Sequence, residues 1–395
     1  MTPPSILIVA GEPSGDQLAA ELVRAVRAGA GTVPPRFFGV GGPAMAEAGV
    51  RILHDLTSVS AIGPADALRQ YARYRRVFDD LLEAAAEQTP EVVVGVDFGA
   101  FNLRFAAALR RRTSADGPFR NWRPKIVQFV SPQVWASRPG RAREIARDHD
   151  LLLSILPFEQ DWYARNAPGV PVRFVGHPIV DRHRATPSPT DTTSAAEGRS
   201  LVLLPGSRPG ELRRHWSSVA GAADLLARHH GAKPVLVLPT ETARDWLPRE
   251  VAPPQGLRIR VGGLAEELQR ATAAIASTGT VTLECAWFGV PTVALYRTSW
   301  STYQIGRRII QVRFLALPNL LADKAVIPEF IQDAATPDGL AEAAAVWFRD
   351  RAARDTTVAE LHRIRDSLGP PGACGRAAGE ILKQLRPSTR DLSDG

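Results

Sequence analysis

The sequence predicts an α/β protein built from two Rossmann-like, doubly wound parallel-sheet domains facing a cleft. Three observations predict it. Short apolar runs of strand length alternate with segments of helical period along most of the chain. Those runs are apolar on both faces, as strands of a sheet covered on both sides must be. The polar, Gly-rich segments follow the strands rather than precede them. GEPSGD, GVGG, GVDFGAFN, SPQVWA, VGHP, LPGSR and STGT all fall at carboxyl edges, where open α/β sheets take their ligands.

Composition narrows the class. The chain has 395 residues, enough for two full cores. At 45% hydrophobic and 23% charged it is globular, not disordered. No apolar run approaches ~20 residues, so no bilayer-spanning helix is expected. SILIVAG has no basic region before it and no cleavage site after it, so it reads as a first strand and not a signal peptide. Cys285 and Cys374 stand far apart and offer neither a disulfide framework nor a metal spacing, which suits a reducing cytoplasm. The net charge of +7 is uneven, with clusters at Arg69, Arg73, Arg75 and Arg76, at 110–112 and at Arg138, Arg141, Arg143 and Arg147. Solvated helix faces, a nucleic-acid groove and an anionic lipid surface all accommodate such clusters. No recognition motif is interleaved with the charge, which argues against nucleic acid.

In chain order, residues 5–10 form a buried strand, GEPSGD a turn, and 17–27 a helix with Leu18, Leu22 and Val26 on one face. Residues 36–40 form the second strand, followed by a Gly-Gly-Pro turn and a helix containing Met45. The turn after the first strand is not G-x-G-x-x-G and no acidic residue ends the second strand, so NAD has little support. Pro64 opens a long amphipathic helix with Leu68, Tyr71, Phe78, Leu82 and Ala85 at helical spacing. Its first half mixes Arg and Tyr (Arg69, Tyr71, Arg73, Tyr74, Arg75, Arg76) and suits a membrane surface. Strands at 92–96, 126–130, 151–155 and 172–175 follow, and Asp97 stands at the carboxyl end of the first of these. By topology Glu12, Ser14 and Asp16 in GEPSGD face the cleft, for acceptor binding or loop structure, and Gln133 in SPQVWA is a further acceptor or cleft candidate. His177 in VGHP is a hinge or packing residue, or a cleft residue.

A Ser-, Thr- and Pro-rich stretch is the best linker in the chain, and a second alternation starts at Leu201. Arg208 in LPGSR lies at a helix N-terminus, where a guanidinium can grip phosphate bidentately. Strands at 235–238 and 259–261 lead to the stretch 274–296. It reads as strand, small-residue loop (Ser277, Thr278, Gly279, Thr280), short helix capped by Thr280, Gly-Pro turn and strand. Unpaired N–H groups and the positive dipole end at such a helix start suit a phosphate. Glu284, one turn further in, suits a ribose diol. A capping box fits poorly, because three residues beyond Thr280 stands Leu283. The expected domains are residues 1–184, a linker at 185–199, a second domain at 200–345, helices at 346–386 packing back across the domains, and a disordered tail at 387–395.

GEPSGD, GVDFGAFN, SPQVWASR, LPFE, VGHP, LLPGSR, STGTVTLE and LPNLLA occur in the order seen in the lipid-A-disaccharide synthase family, which the chain resembles from about residue 5 to 332. That family consists of two-Rossmann-domain (GT-B) glycosyltransferases. The resemblance implies transfer of the sugar of UDP-2,3-diacylglucosamine to 2,3-diacylglucosamine 1-phosphate, giving a β(1→6) disaccharide and UDP. It implies no metal or other cofactor and peripheral association with the inner face of the cytoplasmic membrane, as monomer or homodimer. Three positions depart from the family pattern: Ala100 stands where a second Asp is usual, Ile62 where a Met is usual (leaving Asp66 as the nearby acid), and Ser137 where a second Trp is usual.

Inversion at the anomeric carbon implies one displacement with a general base, and the resemblance gives that role to Asp97, with Asn102 orienting Asp97 or the acceptor. Partial desolvation at the strand end is expected to raise the Asp97 pKa. Gly206, Ser207, Arg208 and residues 277–280 are then expected at the diphosphate, with Glu284 at the ribose. Asn319 and Gln332 join the donor site by resemblance alone. The rivals are another GT-B UDP-sugar enzyme, such as an N-acetylglucosamine transferase or an epimerase, and a binding protein without catalysis, at which Ala100 hints.

Overall fold

The computed structural model describes residues 3–57, 64–114, 116–184 and 199–385, with the backbone alone over 64–71. The linker expected at 185–199, apart from Arg199, lies outside the described residues. So do the expected tail, Ile62 and the side chains of Asp66, Arg69 and Tyr71. The chain divides into two units, Met1–Asp181 with Gly369–Gly395, and Arg182–Leu368.

The first unit begins β1 (Ser5–Val9), α1 (Pro13–Gly29), β2 (Arg36–Gly41), α2 (Pro43–Glu47), β3 (Arg51–Asp55) and α3 (Pro64–Gln88). It continues with β4 (Val92–Val96), α4 (Gly99–Arg112), β5 (Lys125–Phe129), α5 (Val134–Ser137), α6 (Ala142–Asp148), β6 (Leu151–Ser154), α7 (Glu159–Asn166) and β7 (Val172–Phe174). The short α8 (Ile179–Arg182) ends where the second unit starts. Its sheet is parallel throughout, in the order β3-β2-β1-β4-β5-β6-β7. β1 and β4 are buried at every position. Alternation sends Ile6, Ile8 and Val94 to a core shared with α1, and Leu7, Val9 and Val93 to a second core shared with α3 and α4. This two-sided burial is why both strands read as unbroken apolar runs.

The second unit runs β8 (Ser200–Leu204), α9 (Pro209–His230), β9 (Lys233–Leu238), β10 (Arg258–Val261), α10 (Leu264–Gln269), β11 (Ala271–Ser277) and α11 (Thr280–Trp287). It closes with β12 (Thr292–Tyr296), α12 (Trp300–Ile309), α13 (Leu317–Ala322), β13 (Glu329–Ile331), α14 (Pro337–Arg349) and α15 (Arg351–Ser367). The sheet is again parallel, in the order β10-β9-β8-β11-β12-β13. Helix α16 (Ala373–Leu385) returns to the first unit, where Ala377, Ala378 and Ile381 join the core of α1 and β1.

Two details differ from expectation. The boundary placed at 345 falls inside α14, whose Leu340, Ala344 and Trp347 pack into the core of the second unit. The edge strands β3 and β13 had no strand signal, and their residues are mostly half-buried. Lying at the sheet edge, they need no run of apolar residues.

Candidate functional site

In each unit the strand order reverses once, between β1 and β4 and between β8 and β11. The loops leaving those strands splay apart and open a crevice at the carboxyl edge. The chain places its polar motifs at these two points: GEPSGD and GVDFGAFN in the first unit, LPGSR and STGT in the second.

At the first switch point Asp97 (φ 48°) and Phe98 (φ 44°) both adopt the left-handed backbone conformation. Two consecutive non-Gly residues there store strain, so something must hold them. The Asp97 carbonyl accepts from Asn102 Nδ2 and Gln128 Nε2, each at 2.9 Å, and the Asp97 N–H donates to the Phe129 carbonyl at 2.7 Å. Asn102 and Gln128 are buried. Gly95 makes room for them: a Cβ there would stand 2.4 Å from Gln128 Oε1. Asn102, expected to orient Asp97 or the acceptor, is bonded here to the Asp97 backbone. Gln128 was missed, although a lone amide in the apolar strand KIVQF is a legible signal.

Asp97 is accessible to solvent, as a base must be. Protein crowded around its carboxylate, and after that the charge of Glu12, raise its pKa above the ordinary carboxylate value. Glu12 is the N-cap residue of α1, and Ser14 is exposed in the first turn. Asp16 does not face the crevice. It is buried and accepts from the N–H groups of Gly42, Ala44 and Met45 at 2.7, 2.9 and 3.2 Å, capping α2. Gln133, exposed, is the N-cap of α5. Below it Trp135 Nε1 donates to buried Glu159 at 3.0 Å. His177 Nδ1 accepts from the Ile179 N–H at 3.1 Å, which starts α8.

On the basic helix, Arg73 donates to the Asp55 carbonyl at 2.8 Å, and Arg75 and Arg76 are exposed. Tyr74 is half-buried and packs against Phe98, ring centroids 6.0 Å apart. The side chains of Arg69 and Tyr71 lie outside the described residues.

The second switch point holds a cavity of about 410 Å³. Gly206, Ser207 and Arg208 after β8, Pro239 after β9, Gly262 after β10 and residues 277–281 after β11 line it. Gly206 has φ 133°, and a Cβ there would stand 2.5 Å from Glu211 Oε2. That same carboxylate accepts from the Ser207 N–H at 3.0 Å, so Glu211 shapes the loop. Arg208 is the N-cap of α9. Gly279 (φ 132°), one residue before the expected Thr280, is the N-cap of α11. No side-chain cap bond closes either helix start, so both present N–H groups and positive dipole ends beside the cavity.

His215 was also missed, although its signal is a His within the apolar stripe Leu212, Trp216 and Val219. It is fully buried under the loop. Its Nδ1 lies 2.6 Å from the Pro205 carbonyl, and its Nε2 accepts from the Arg297 N–H at 2.9 Å. These partners require the neutral ring with its proton on Nδ1, and burial lowers its pKa accordingly.

Three expected donor-site residues have other partners. Glu284 is not in the cavity wall. Its carboxylate meets Arg182 at 3.3 Å and His183 at 3.6 Å. Burial opposes its charge, but His183 and Arg182 outweigh burial and hold its pKa below the ordinary value. Asn319 is buried and makes all four bonds an amide can make, to the Val326 and Ile327 N–H groups, the Ile327 carbonyl and Glu329. Gln332 bonds both backbone groups of Thr298, at 2.7 and 3.2 Å. Asn319 and Gln332 therefore build loops. Among the described residues no group of three His, Cys, Asp or Glu could hold a metal ion.

A family model described as lipid-A-disaccharide synthetase matches residues 6–376. The lipid-A-disaccharide synthase of Myxococcus xanthus (strain DK1622) is 40% identical, with 98% of each chain covered. In fold, the chain is similar to a putative UDP-N-acetylglucosamine 2-epimerase from Listeria monocytogenes (TM-score 0.63, 14% identity, 100% and 99% covered). It is also similar to CalG4, the calicheamicin glycosyltransferase (TM-score 0.57, 16% identity, 98% and 100% covered). At such identities these two likenesses carry the fold alone, and the fold is GT-B. Match length and identity together decide the family: the chain belongs to the lipid-A-disaccharide synthases, hexosyltransferases that build the lipid A disaccharide by glycosyl transfer.

Proposed function

We propose that the chain condenses UDP-2,3-diacylglucosamine with 2,3-diacylglucosamine 1-phosphate by a single inverting displacement. The acceptor 6-hydroxyl attacks the anomeric carbon, its proton passes to Asp97, and the bond to UDP breaks. The observation that carries this reading is Asp97 itself. It is an accessible carboxylate at the switch point, held by two buried amides, with a pKa raised toward the range where a base works well.

The cavity at 206–208 and 277–281 suits the diphosphate of the donor. Arg208 and the two helix starts would stabilise the departing anion, by about 3 kcal/mol per well-placed donor. On this reading no metal or other cofactor takes part. Glu284 can hold the ribose only by exchanging Arg182 and His183 for the diol. Attachment to an anionic inner-membrane surface through Arg69, Arg73, Arg75 and Arg76 completes the proposal, because both substrates carry acyl chains. No helix among the described residues is long and apolar enough to cross a membrane. Changing those four Arg to Ser should weaken binding to anionic liposomes.

The direct test is a mass spectrum of the product formed from defined acylated sugars, with Asp97→Asn as control. Disaccharide formation should fall by about 10²–10⁴-fold in the variant, while UDP affinity measured by calorimetry stays unchanged. Full activity in Asp97→Asn would overturn the assignment. The rival reading, an epimerase that turns over free UDP-sugar without any lipid, is separated by the same assay. Binding of both substrates without turnover would identify a non-catalytic protein.

A further inference from the structure

None of the ten residues of helix α12 is buried, although a helix this short is marginal in water unless an apolar face packs on something. Trp300, Ile305 and Ile310 are 74%, 58% and 41% exposed. Three of the five exposed large apolar side chains among the described residues therefore fall within 300–310. The charge is as one-sided as the exposure. From Cys285 to Ala322 the sequence has four Arg and no Asp or Glu. Arg307, Arg308 and Arg313 are exposed. Arg307 lies over the Tyr303 ring at 5.6 Å and Arg313 over the Phe314 ring at 5.0 Å, and among the described residues none of the three meets a carboxylate. At the helical spacing of ~100° per residue, Arg307, Trp300, Arg308 and Ile305 share an arc of ~160°.

The root of this exposed helix is firmly held. Ser299 caps it, its Oγ accepting from the Thr302 N–H at 3.3 Å. One residue back, the Thr298 N–H donates to Gln332 at 2.7 Å, and the Arg297 N–H donates to buried His215 at 2.9 Å. The helix thus leaves the carboxyl end of β12 from a fixed mount, at the sheet edge where the cavity lined by residues 206–208 and 277–281 opens. An open arc that mixes Trp and Ile with Arg and carries no acid suits a helix lying in a membrane interface. The indole settles at headgroup depth, the Ile side chains reach the acyl boundary, and guanidinium groups bond lipid phosphate. A second copy of the chain fits worse, because a two-fold contact through this arc would set Arg against Arg.

We propose that α12 docks the second unit on an anionic bilayer, with Trp300, Ile305 and Ile310 in the interface and Arg307, Arg308 and Arg313 on lipid phosphates. The partner is the one proposed for the basic helix α3, but the surface belongs to the other unit and is separable from α3 by experiment. The proposal asks nothing of Asp97 or of the reaction.

Two measurements test it. In the first, partition onto vesicles of phosphatidylglycerol and phosphatidylcholine is read by co-sedimentation. Arg307→Ser, Arg308→Ser and Arg313→Ser should each lower the partition constant about fivefold, the factor that corresponds to ~1 kcal/mol per basic residue near an anionic surface. Trp300→Ser combined with Ile305→Ser should lower it about tenfold or more. Retained UDP affinity by calorimetry shows that the variants are folded. The same losses should appear when Arg69, Arg73, Arg75 and Arg76 are already Ser. Unchanged partition of the α12 variants in both backgrounds would overturn the proposal. The second measurement needs no variant. Amide exchange over 300–313 in the wild-type protein should slow with the anionic vesicles and not with phosphatidylcholine alone, and exchange that ignores the anionic vesicles overturns the proposal. If Trp300→Ser with Ile305→Ser instead breaks up a dimer in sedimentation equilibrium and leaves vesicle binding intact, the face belongs to a second copy and the proposal is again overturned. Docking through α12 without disaccharide formation would count against the proposed reaction and leave the docking helix standing.

Discussion

Single residues carry the most local consequences. Glu159 is the clearest case, because it is a carboxyl with almost no solvent contact whose main partner is an indole N–H. Burial pushes its pKa up to about 7, against the hydrogen bonds that would lower it. A carboxyl raised in the folded state stabilises fully below its ordinary value of 4.5 and loses that contribution as pH rises through about 7. The loss is on the order of 3 kcal/mol. Urea midpoints at pH 5 and pH 8 should show it in the wild type, and Glu159→Gln should flatten the difference. Nothing in LPFE announces this, since burial of the carboxyl depends on Trp135 arriving from α5. Gly206 is the opposite case. A Gly between Pro and Ser reads as a turn, and the φ of 133° with Glu211 close by gives the reason. Gly206→Ala should weaken UDP binding at least tenfold by calorimetry, because the loop must shift to clear Glu211. Asp97 was legible from its place at a strand end, whereas Gln128 and His215, which hold the loops from beneath, depend on partners 31 and 82 residues away in sequence.

At the scale of elements, the entry to α4 shows how a helix can aim a functional group. Asn102 and Gln128 share one carbonyl, that of Asp97. Gln128→Leu removes one of these bonds from a buried setting, so stability should fall by about 1–3 kcal/mol. If Gln128 positions Asp97, kcat should fall with KM nearly unchanged, and the acidic limb of the pH–rate profile should move. A purely structural role would lower stability and leave that limb in place. Helix α11 was legible nearly to the residue, because small residues before an apolar helix and a Gly-Pro after it are strong punctuation. Its N-cap moved to Gly279 since φ 132° there suits Gly and no other residue. β3 and β13 were illegible for the converse reason: an edge strand pairs on one side and carries no apolar pattern of its own.

On the scale of the whole chain, the first unit is discontinuous. Residues 1–181 form its sheet, and α16 arrives only after the entire second unit. Ile381 is fully buried there among residues of α1 and β1. Ile381→Ala should lower the stability of the first unit by about 2–5 kcal/mol, read as an earlier denaturant midpoint for fluorescence from Trp122 and Trp135. The alternation of strand and helix made both sheets legible, and the C-terminal helices were expected to pack back across the domains; α16 does return to the first unit, whereas α15 stays with the second, a division that nothing in the two helices marks. This return orders events at the ribosome. Seven strands of the first sheet emerge early, yet the greasy stripe on α1 stays bare while some two hundred further residues are translated. A nascent chain stalled before codon 373 therefore carries a finished second unit and an unsealed first one, a ready target for chaperones and proteases.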